Sequence, residues 1–232
     1  MFAGHFGVGF GAKAVARQVS LGTLFLASQF IDLLWPSLLL LGWETVRIAP
    51  GITRVTPLDF VHYPISHSLF AVILWAILFG ATYYLFRRFT RGAIVCALLV
   101  LSHWLLDALT HRPDLPILPM GDLRVSLGLW NSLPAAIVVE ILIFGFGVIL
   151  YTRATRAFDR AGTIGFWALV VFLLVIYCGN IFGPPPPSVE AITWPGHAQW
   201  LLVAWAYWLD RHRHARPSNG VIEGRRKRDD LS

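Results

Sequence analysis

Six long apolar runs dominate this sequence, at roughly residues 21–42, 67–86, 92–110, 134–152, 164–182 and 196–209. Most approach the ~20 residues a helix needs to cross the hydrocarbon core of a bilayer. They are rich in Leu, Ala, Val, Ile and Phe and lack the alternation of barrel strands, so helices are expected. Composition agrees: only 14% of residues are charged, against about 25% in an ordinary soluble domain. Mean hydropathy is +0.62. These values exclude a soluble globular enzyme and a disordered chain. An isoelectric point near 9.8 would suit a nucleic-acid module, but the basic residues are few and segregate into loops, so no nucleic-acid partner is expected. Cys96 and Cys178 both lie in apolar runs and offer neither a disulfide framework nor a metal knuckle. The expected fold class is all-α: a polytopic helical membrane protein with six long spans plus a short N-terminal helix forming a hairpin.

The first twenty residues have no basic residue before their apolar part and no recognisable cleavage site, so a signal peptide is not expected. Residues 3–17 suit a short helix, and Ser20 and Gly22 allow a turn into the first long run. Gly4, Gly7 and Gly11 give that helix a small-residue face for close packing in lipid. The hairpin bend (Lys13, Arg17), Arg87 to Arg91, Arg153 to Arg160 and the C-terminal tail hold all but four of the 19 basic residues. The alternate loops hold only Arg47, Arg54, Arg112 and Arg124. The positive-inside rule therefore predicts a multi-pass protein of a bacterial-type inner membrane, with a cytoplasmic C-terminus and outward-facing loops at 43–66, 111–133 and 183–195. The tail reads as a topology anchor or a contact with anionic membrane lipids. The expected division is 1–133, carrying the candidate site, 134–210, the C-terminal membrane helices, and 211–232, a basic cytoplasmic tail. With Pro57 and Pro64 in it, the segment from Arg54 is expected to be irregular until a helix begins near Ser66.

Ionisable residues inside membrane helices are costly and mark function by default. Asp32, His103, Asp107 and Glu140 interrupt the apolar runs, and His67 opens one. They share a depth. His103 lies ~16 Å and Asp107 ~22 Å along the helix that starts at Gly92. Asp32 lies about as far past the hairpin bend as His5 lies before it, and Glu140 is about two turns in from its outer helix end. All fall in the outer half of the membrane. His103 and Asp107, four apart, share a helix face that His111 continues. Imidazole nitrogens and carboxylate oxygens suit borderline divalent ions such as zinc or manganese, and such an ion would offset the cost of carboxylates in lipid. His62 and His67, five apart around Pro64, belong to a loop entering a helix and can close over a metal from outside, with Asp59 as ligand or supporting partner. Singly, each residue has a blander reading. His103 and Asp107 can be a hydrogen-bonded pair, His5 and His62 surface histidines, Asp32 an arginine partner, Glu140 a packing contact or proton site. The shared depth of so many N and O ligands favours one metal site.

Gly4-His5, Ile31-Asp32 to Pro36, HYPISHSL at 62–69 and LSHWLLDALT at 101–110 resemble the YdjM-like family, bacterial inner-membrane proteins classed as metal-dependent hydrolases. The resemblance covers roughly residues 1–120. It implies a hydrolase-like metal centre built by His5, Asp32, His67, His103 and Asp107, with His62 at the first histidine of the family's HRGxTHS element. The chain departs from that pattern in three places. Phe30-Ile31-Asp32-Leu33 stands where the family has Asp-x-Asp-His, so one acid is missing. Tyr63-Pro64 replaces Arg-Gly, and His111-Arg112-Pro113 replaces a proline–glycine turn.

Three functional classes follow. In the first, a membrane-embedded hydrolase uses one or two divalent metal ions at the outer leaflet on a phosphoester or lipid-like substrate. Asp59, Asp107 or Glu140 would accept a proton, and Arg112 or Arg47 would hold an anionic head group. In the second, a transporter carries a proton or metal through the bilayer, which requires polar residues on the cytoplasmic half that the sequence hardly offers. In the third, the metal only stabilises a non-catalytic membrane protein.

Overall fold

The computed structural model describes residues 1–216. The chain begins with a short helix, α1 (Ala3–Ala12), followed by α2 (Leu21–Ser28) and α3 (Phe30–Leu40). An antiparallel ribbon comes next, β1 (Thr45–Ile48) with β2 (Leu58–His62), then the single-turn α4 (Pro64–His67) and the long α5 (Leu69–Arg87) and α6 (Thr90–Thr110). A second small ribbon, β3 (Leu115–Pro116) with β4 (Arg124–Val125), leads to α7 (Leu133–Ala154), β5 (Thr155–Ala157), α8 (Arg160–Phe182), α9 (Glu190–Leu209) and β6 (Arg213–Ala215), which pairs with β5.

Among the described residues four helices, α5, α6, α7 and α8, are long and apolar enough to cross a membrane. The bent pair α2 and α3 makes a fifth if counted as one span. The expectation of six long spans is corrected in two places. The run at 21–42 is broken at Gln29, where the backbone leaves helical geometry and the two pieces meet at 53°. The last run does form a 20-residue helix, α9, but Pro195, Gly196, His197 and Gln199 in its first half dilute its apolarity. The spanning helices carry large apolar side chains on their outer faces, among them Ile77, Leu85, Leu98, Leu142, Phe146 and Val171. Exposed apolar surface of this extent is unstable in water and suits lipid.

Packing between helices follows the small residues. A Cβ at Gly147 would lie 1.9 Å from the Gly7 carbonyl oxygen, and one at Gly7 would meet the backbone of Ile143 and Phe144. The glycines of α1 thus let it lie directly on the backbone of α7, and Gly11 continues the same contact. Beneath it Phe10 meets Phe25 at 4.8 Å and Phe166 at 5.8 Å between ring centroids, edge-on, locking α1 against α2 and α8. Side-chain caps mark the turns: Ser20 Oγ accepts from Thr23 N at 3.0 Å and Ser68 Oγ from Ala71 N at 3.2 Å.

The β1–β2 ribbon replaces the irregular segment expected before Ser66. The β-branched Thr45, Val46 and Ile48 supply a partner strand, and both prolines fall outside the ladder, Pro57 before β2 and Pro64 at the first turn of α4. The ribbon roofs the end of the bundle where α6 finishes, through Phe60, 4.7 Å from the His111 ring. The opposite end carries Lys13, Arg87, Arg153 and Arg160. Of the tail read at 211–232, residues 211–216 form the β5–β6 pairing and its flank, and 217–232 lie outside the described residues.

Candidate metal centre

His103 sits at the middle of the cluster, fully buried on α6. Its Nδ1 lies 2.9 Å from the Ser28 carbonyl oxygen. A carbonyl only accepts, so Nδ1 carries the proton and donates, leaving Nε2 with a lone pair. The break between α2 and α3 places Ser28 at a helix end, and bent backbone at membrane depth is tolerated where protein buries it. The same break puts Asp32 in the first turn of α3, with Oδ1 3.5 Å from His103 Nε2.

Asp107, one turn further along α6, brings Oδ2 to 3.2 Å from the same nitrogen, and its Oδ1 lies 3.2 Å from His5 Nε2. The His5 and His103 rings stack at 3.7 Å and 5°. His67 completes the group, with Nε2 3.8 Å from Asp32 Oδ1 and 3.9 Å from Asp107 Oδ2. Two sets of three ligand atoms, one from His5, His103 and Asp107 and the other from Asp32, His67 and His103, each lie within 4.8 Å of one another. The amino group of Met1 donates to Asp107 Oδ1 at 2.7 Å.

His67 is held by a chain of bonds that the sequence did not disclose. Its Nδ1 is 2.6 Å from Ser66 Oγ, and Ser66 Oγ is 2.5 Å from Glu44 Oε2. A carboxylate only accepts, so the serine hydroxyl donates to Glu44 and receives the Nδ1 proton of His67. Glu44 Oε1 also accepts the backbone amides of Ile65 and Ser66, each at 2.8 Å. The motif Ser66-His67-Ser68 therefore does three jobs in succession: hydrogen-bond relay, imidazole of the cluster, and cap of α5. No pattern in the sequence pointed to Glu44, which lies at the end of an apolar run and 22 residues from Ser66.

The remaining candidates sit around this core. His111 Nε2 is 3.9 Å from Asp107 Oδ1, while its Nδ1 bonds Asp114 at 3.1 Å. Burial pushes the Asp114 carboxyl up, but bonds from His111, Arg112 and Tyr63 outweigh it and hold it below the usual carboxylate range. Arg112 also pairs with Asp59, so both are tied into the roof rather than into the ligand group. Glu140, buried on α7, accepts the amides of Phe2 and Gly4 at Oε2, at 3.0 and 3.4 Å, and so fixes the start of α1. His62 does not reach the cluster and is exposed. The ladder passes from Val46 opposite Phe60 to Thr45 opposite His62, and the extra residue, Val61, is a bulge that turns His62 outward.

The donor set tests whether a divalent cation belongs here. His103 Nε2 is buried with no hydrogen-bond partner among the described residues, although two carboxylates approach within 3.5 Å. A lone pair facing carboxylate oxygens is repulsive unless a proton or a cation lies between them. Buried carboxylates are stable only when paired or bound to metal. Two or three imidazoles with two carboxylates are a common ligand set for zinc and manganese. His5, Asp32, His67, His103 and Asp107 fit such an ion.

The family model for the YdjM inner membrane protein matches residues 4–183. The chain belongs to this family. The match runs past the motifs of the first 120 residues and takes in α7 and α8, so the YdjM region includes Glu140 as well as the ligand group. No curated protein and no solved structure matches the chain.

Proposed function

We propose that this YdjM-family protein is a membrane-embedded metal-dependent hydrolase acting at the outward face of the inner membrane on a phosphoester or lipid-like substrate. The observation that carries this reading is the convergence of His5, Asp32, His67, His103 and Asp107, drawn from four helices, beside a cavity of about 860 Å³ that Asp32, His67, Asp107 and Glu140 line. A structural metal needs closed coordination, whereas a reaction centre needs room next to its ligands. When bound, a zinc or manganese ion at these residues would make water nucleophilic at neutral pH and polarise the ester oxygen. The protein supplies the rest. Ser28 and the Glu44–Ser66 pair hold the imidazoles of His103 and His67 in the tautomer that turns Nε2 toward the carboxylates. Glu140 uses Oε2 for the backbone of α1, which leaves Oε1 to take a proton beside the cavity. Asp59 and Arg112, locked together, brace the roof beside the cavity. The basic residues at the opposite bundle end orient the site outward by the positive-inside rule, with the C-terminus cytoplasmic.

The experiment is elemental analysis of detergent-purified protein together with ester and phosphoester turnover, with and without chelator. The expected result is a stoichiometric divalent metal and turnover that chelation and His103→Ala both abolish. Turnover indifferent to both would remove the reading. A metal that raises the melting temperature without any turnover would leave the non-catalytic alternative.

A further inference from the structure

His111 holds a place beside the ligand group that a single ion at His5, Asp32, His67, His103 and Asp107 leaves unused. Its side chain is almost wholly buried, with the rings of Trp130 and Phe60 4.2 and 4.7 Å away between centroids. Asp114 Oδ1 lies 3.1 Å from its Nδ1. A carboxylate only accepts, so Nδ1 carries the proton. Asp114 is itself fixed by the Tyr63 hydroxyl and by Arg112 Nε, each at 3.0 Å. The lone pair of His111 is therefore on Nε2, which faces Asp107 Oδ1 at 3.9 Å. An imidazole steadied by a carboxylate at one nitrogen, with the other turned to an anionic oxygen, is the arrangement of a metal ligand.

The stacked rings show what would use it. His5 and His103 lie with centroids 3.7 Å apart and planes 5° from parallel. An imidazole lone pair lies in the plane of its ring, so two parallel rings aim along parallel planes that do not meet at one ion. Their Nε2 atoms reach different oxygens of Asp107, His5 to Oδ1 and His103 to Oδ2, each at 3.2 Å. Both three-atom sets draw on His103. Its Nδ1 is taken by the Ser28 carbonyl, which leaves one nitrogen for one ion. With His103 assigned to Asp32, His67 and Asp107 Oδ2, the other oxygen of Asp107 keeps His5 and gains His111. The 3.7 Å between the stacked rings matches the ~3.5–4 Å that separates the ions of two-metal centres.

We propose that the centre takes two divalent ions bridged by Asp107, the second held by His5 Nε2, His111 Nε2 and Asp107 Oδ1. Three protein ligands leave a coordination position open, and His111 and Asp107 both line the cavity. The second ion meets one carboxylate oxygen where the first meets two, and it shares that oxygen with the Met1 amino group at 2.7 Å. It is therefore the weaker of the two, lost on purification and regained on titration. A pair of ions can hold the attacking and leaving oxygens of an in-line displacement. This favours a phosphoester substrate, a step that rests on the hydrolytic reading above; the binding of the pair does not.

The test uses the full chain purified in detergent from cells grown in manganese, dialysed against rising manganese and followed by elemental analysis and electron paramagnetic resonance. As purified it should hold one ion and show the sharp hyperfine lines of isolated manganese. A second ion should then bind, and those lines should give way to the broad spectrum of an exchange-coupled pair. His111→Ala should stop at one ion with the isolated spectrum and keep its affinity for the first. Asp114→Asn, which touches neither ion, should weaken the second alone by ~10–100-fold, and it serves if His111→Ala does not fold. Saturation of the native chain at one ion overturns the proposal and leaves the single-ion centre standing. A coupled spectrum that the folded variant leaves intact, or equal weakening of both ions, overturns the assignment of His111. Phosphoester turnover that is complete with the first ion overturns the substrate half alone. A chain that binds neither manganese nor zinc sinks this proposal and the hydrolytic reading together.

Discussion

The two ends of the helix bundle handle buried charge in opposite ways. Where α1 turns into α2, Lys13 donates to the Val19 carbonyl at 2.6 Å and faces Asp210 at 3.4 Å. Arg213 donates to Thr155 and to the Gly162 carbonyl, and lies over the rings of Tyr151 and Phe166. Each of these charges meets its partner within the protein, so the arrangement serves the fold. At the other end Asp32 and Asp107 are gathered around imidazoles, and His103 Nε2 finds no hydrogen-bond partner among the described residues. That geometry calls for a proton or a cation between the imidazole and the carboxylates. One end pairs its charges as folded; the other gathers donor atoms that fit a divalent ion.

The comparison breaks most sharply on His103 and Arg213. His103→Ala should reduce bound metal to background by elemental analysis and leave the helical content unchanged by circular dichroism. Arg213→Ala should do the reverse, keeping metal stoichiometry while losing ~2 kcal/mol of stability from the bonds to a charged group, read as a lower melting temperature. If Arg213→Ala emptied the centre as well, the division between the two ends would be false. Next in size is Glu44→Gln, which touches no candidate ligand atom. Partners of this kind are worth ~10–100-fold in metal affinity, so a loss in that range is expected from competition with a chelator. Ser66→Ala should give a similar loss, and the double variant little more, because both cut the same chain of bonds to His67.

The clustering of these side chains was legible in the sequence because lipid is so costly a solvent for charge. His103 and Asp107 four apart on one face, His5 and Asp32 at one depth across a bend, and His67 at a helix start all stand out against apolar runs. The resemblance to the YdjM family rests on the same residues. What stayed hidden depends on backbone rather than residue type. The break at Gln29 lies inside an apolar run with no proline or glycine at the bend, so 21–42 reads as one span although Ser28 and Asp32 owe their positions to its being two. Glu44 lies at a run's edge, where a carboxylate is unremarked, and its role depends on how the β1–β2 ribbon folds back. His62 reads as a candidate ligand from its place in a loop entering a helix and from the family resemblance, because a bulge at Val61 leaves no mark in composition.

A smaller effect links the two ends. Gly147→Ala would place a Cβ 1.9 Å from the Gly7 carbonyl, and backbone cannot swing aside as a side chain can. Overpacking of this kind costs ~1–3 kcal/mol. The displaced element is α1, which carries His5, so the variant should lower both the melting temperature and the metal affinity, though less than His103→Ala lowers the latter. Loss of stability with metal affinity untouched would mean that His5 is not held by the α1–α7 contact.

The smallest expected effect lies at the end that pairs its charges. Asp159 caps α8, accepting from Gly162 N at 2.6 Å, and faces His212 Nδ1 at 2.7 Å. The bond from His212, then that from the Gly162 amide, hold its carboxyl below the ordinary range. A depressed carboxylate adds stability above its unfolded value of about 3.9, and that contribution disappears as pH falls through the folded value. Melting temperatures should therefore show no contribution from this residue to pH dependence between pH 7 and about 5. Below that, the native chain should lose slightly more stability than Asp159→Asn, which keeps a capping oxygen but has no proton to gain. Metal content should be the same in both at neutral pH, because the pair sits at the opposite end of the bundle from His103. A change in metal content with Asp159→Asn would show that the charges of that end reach the centre after all.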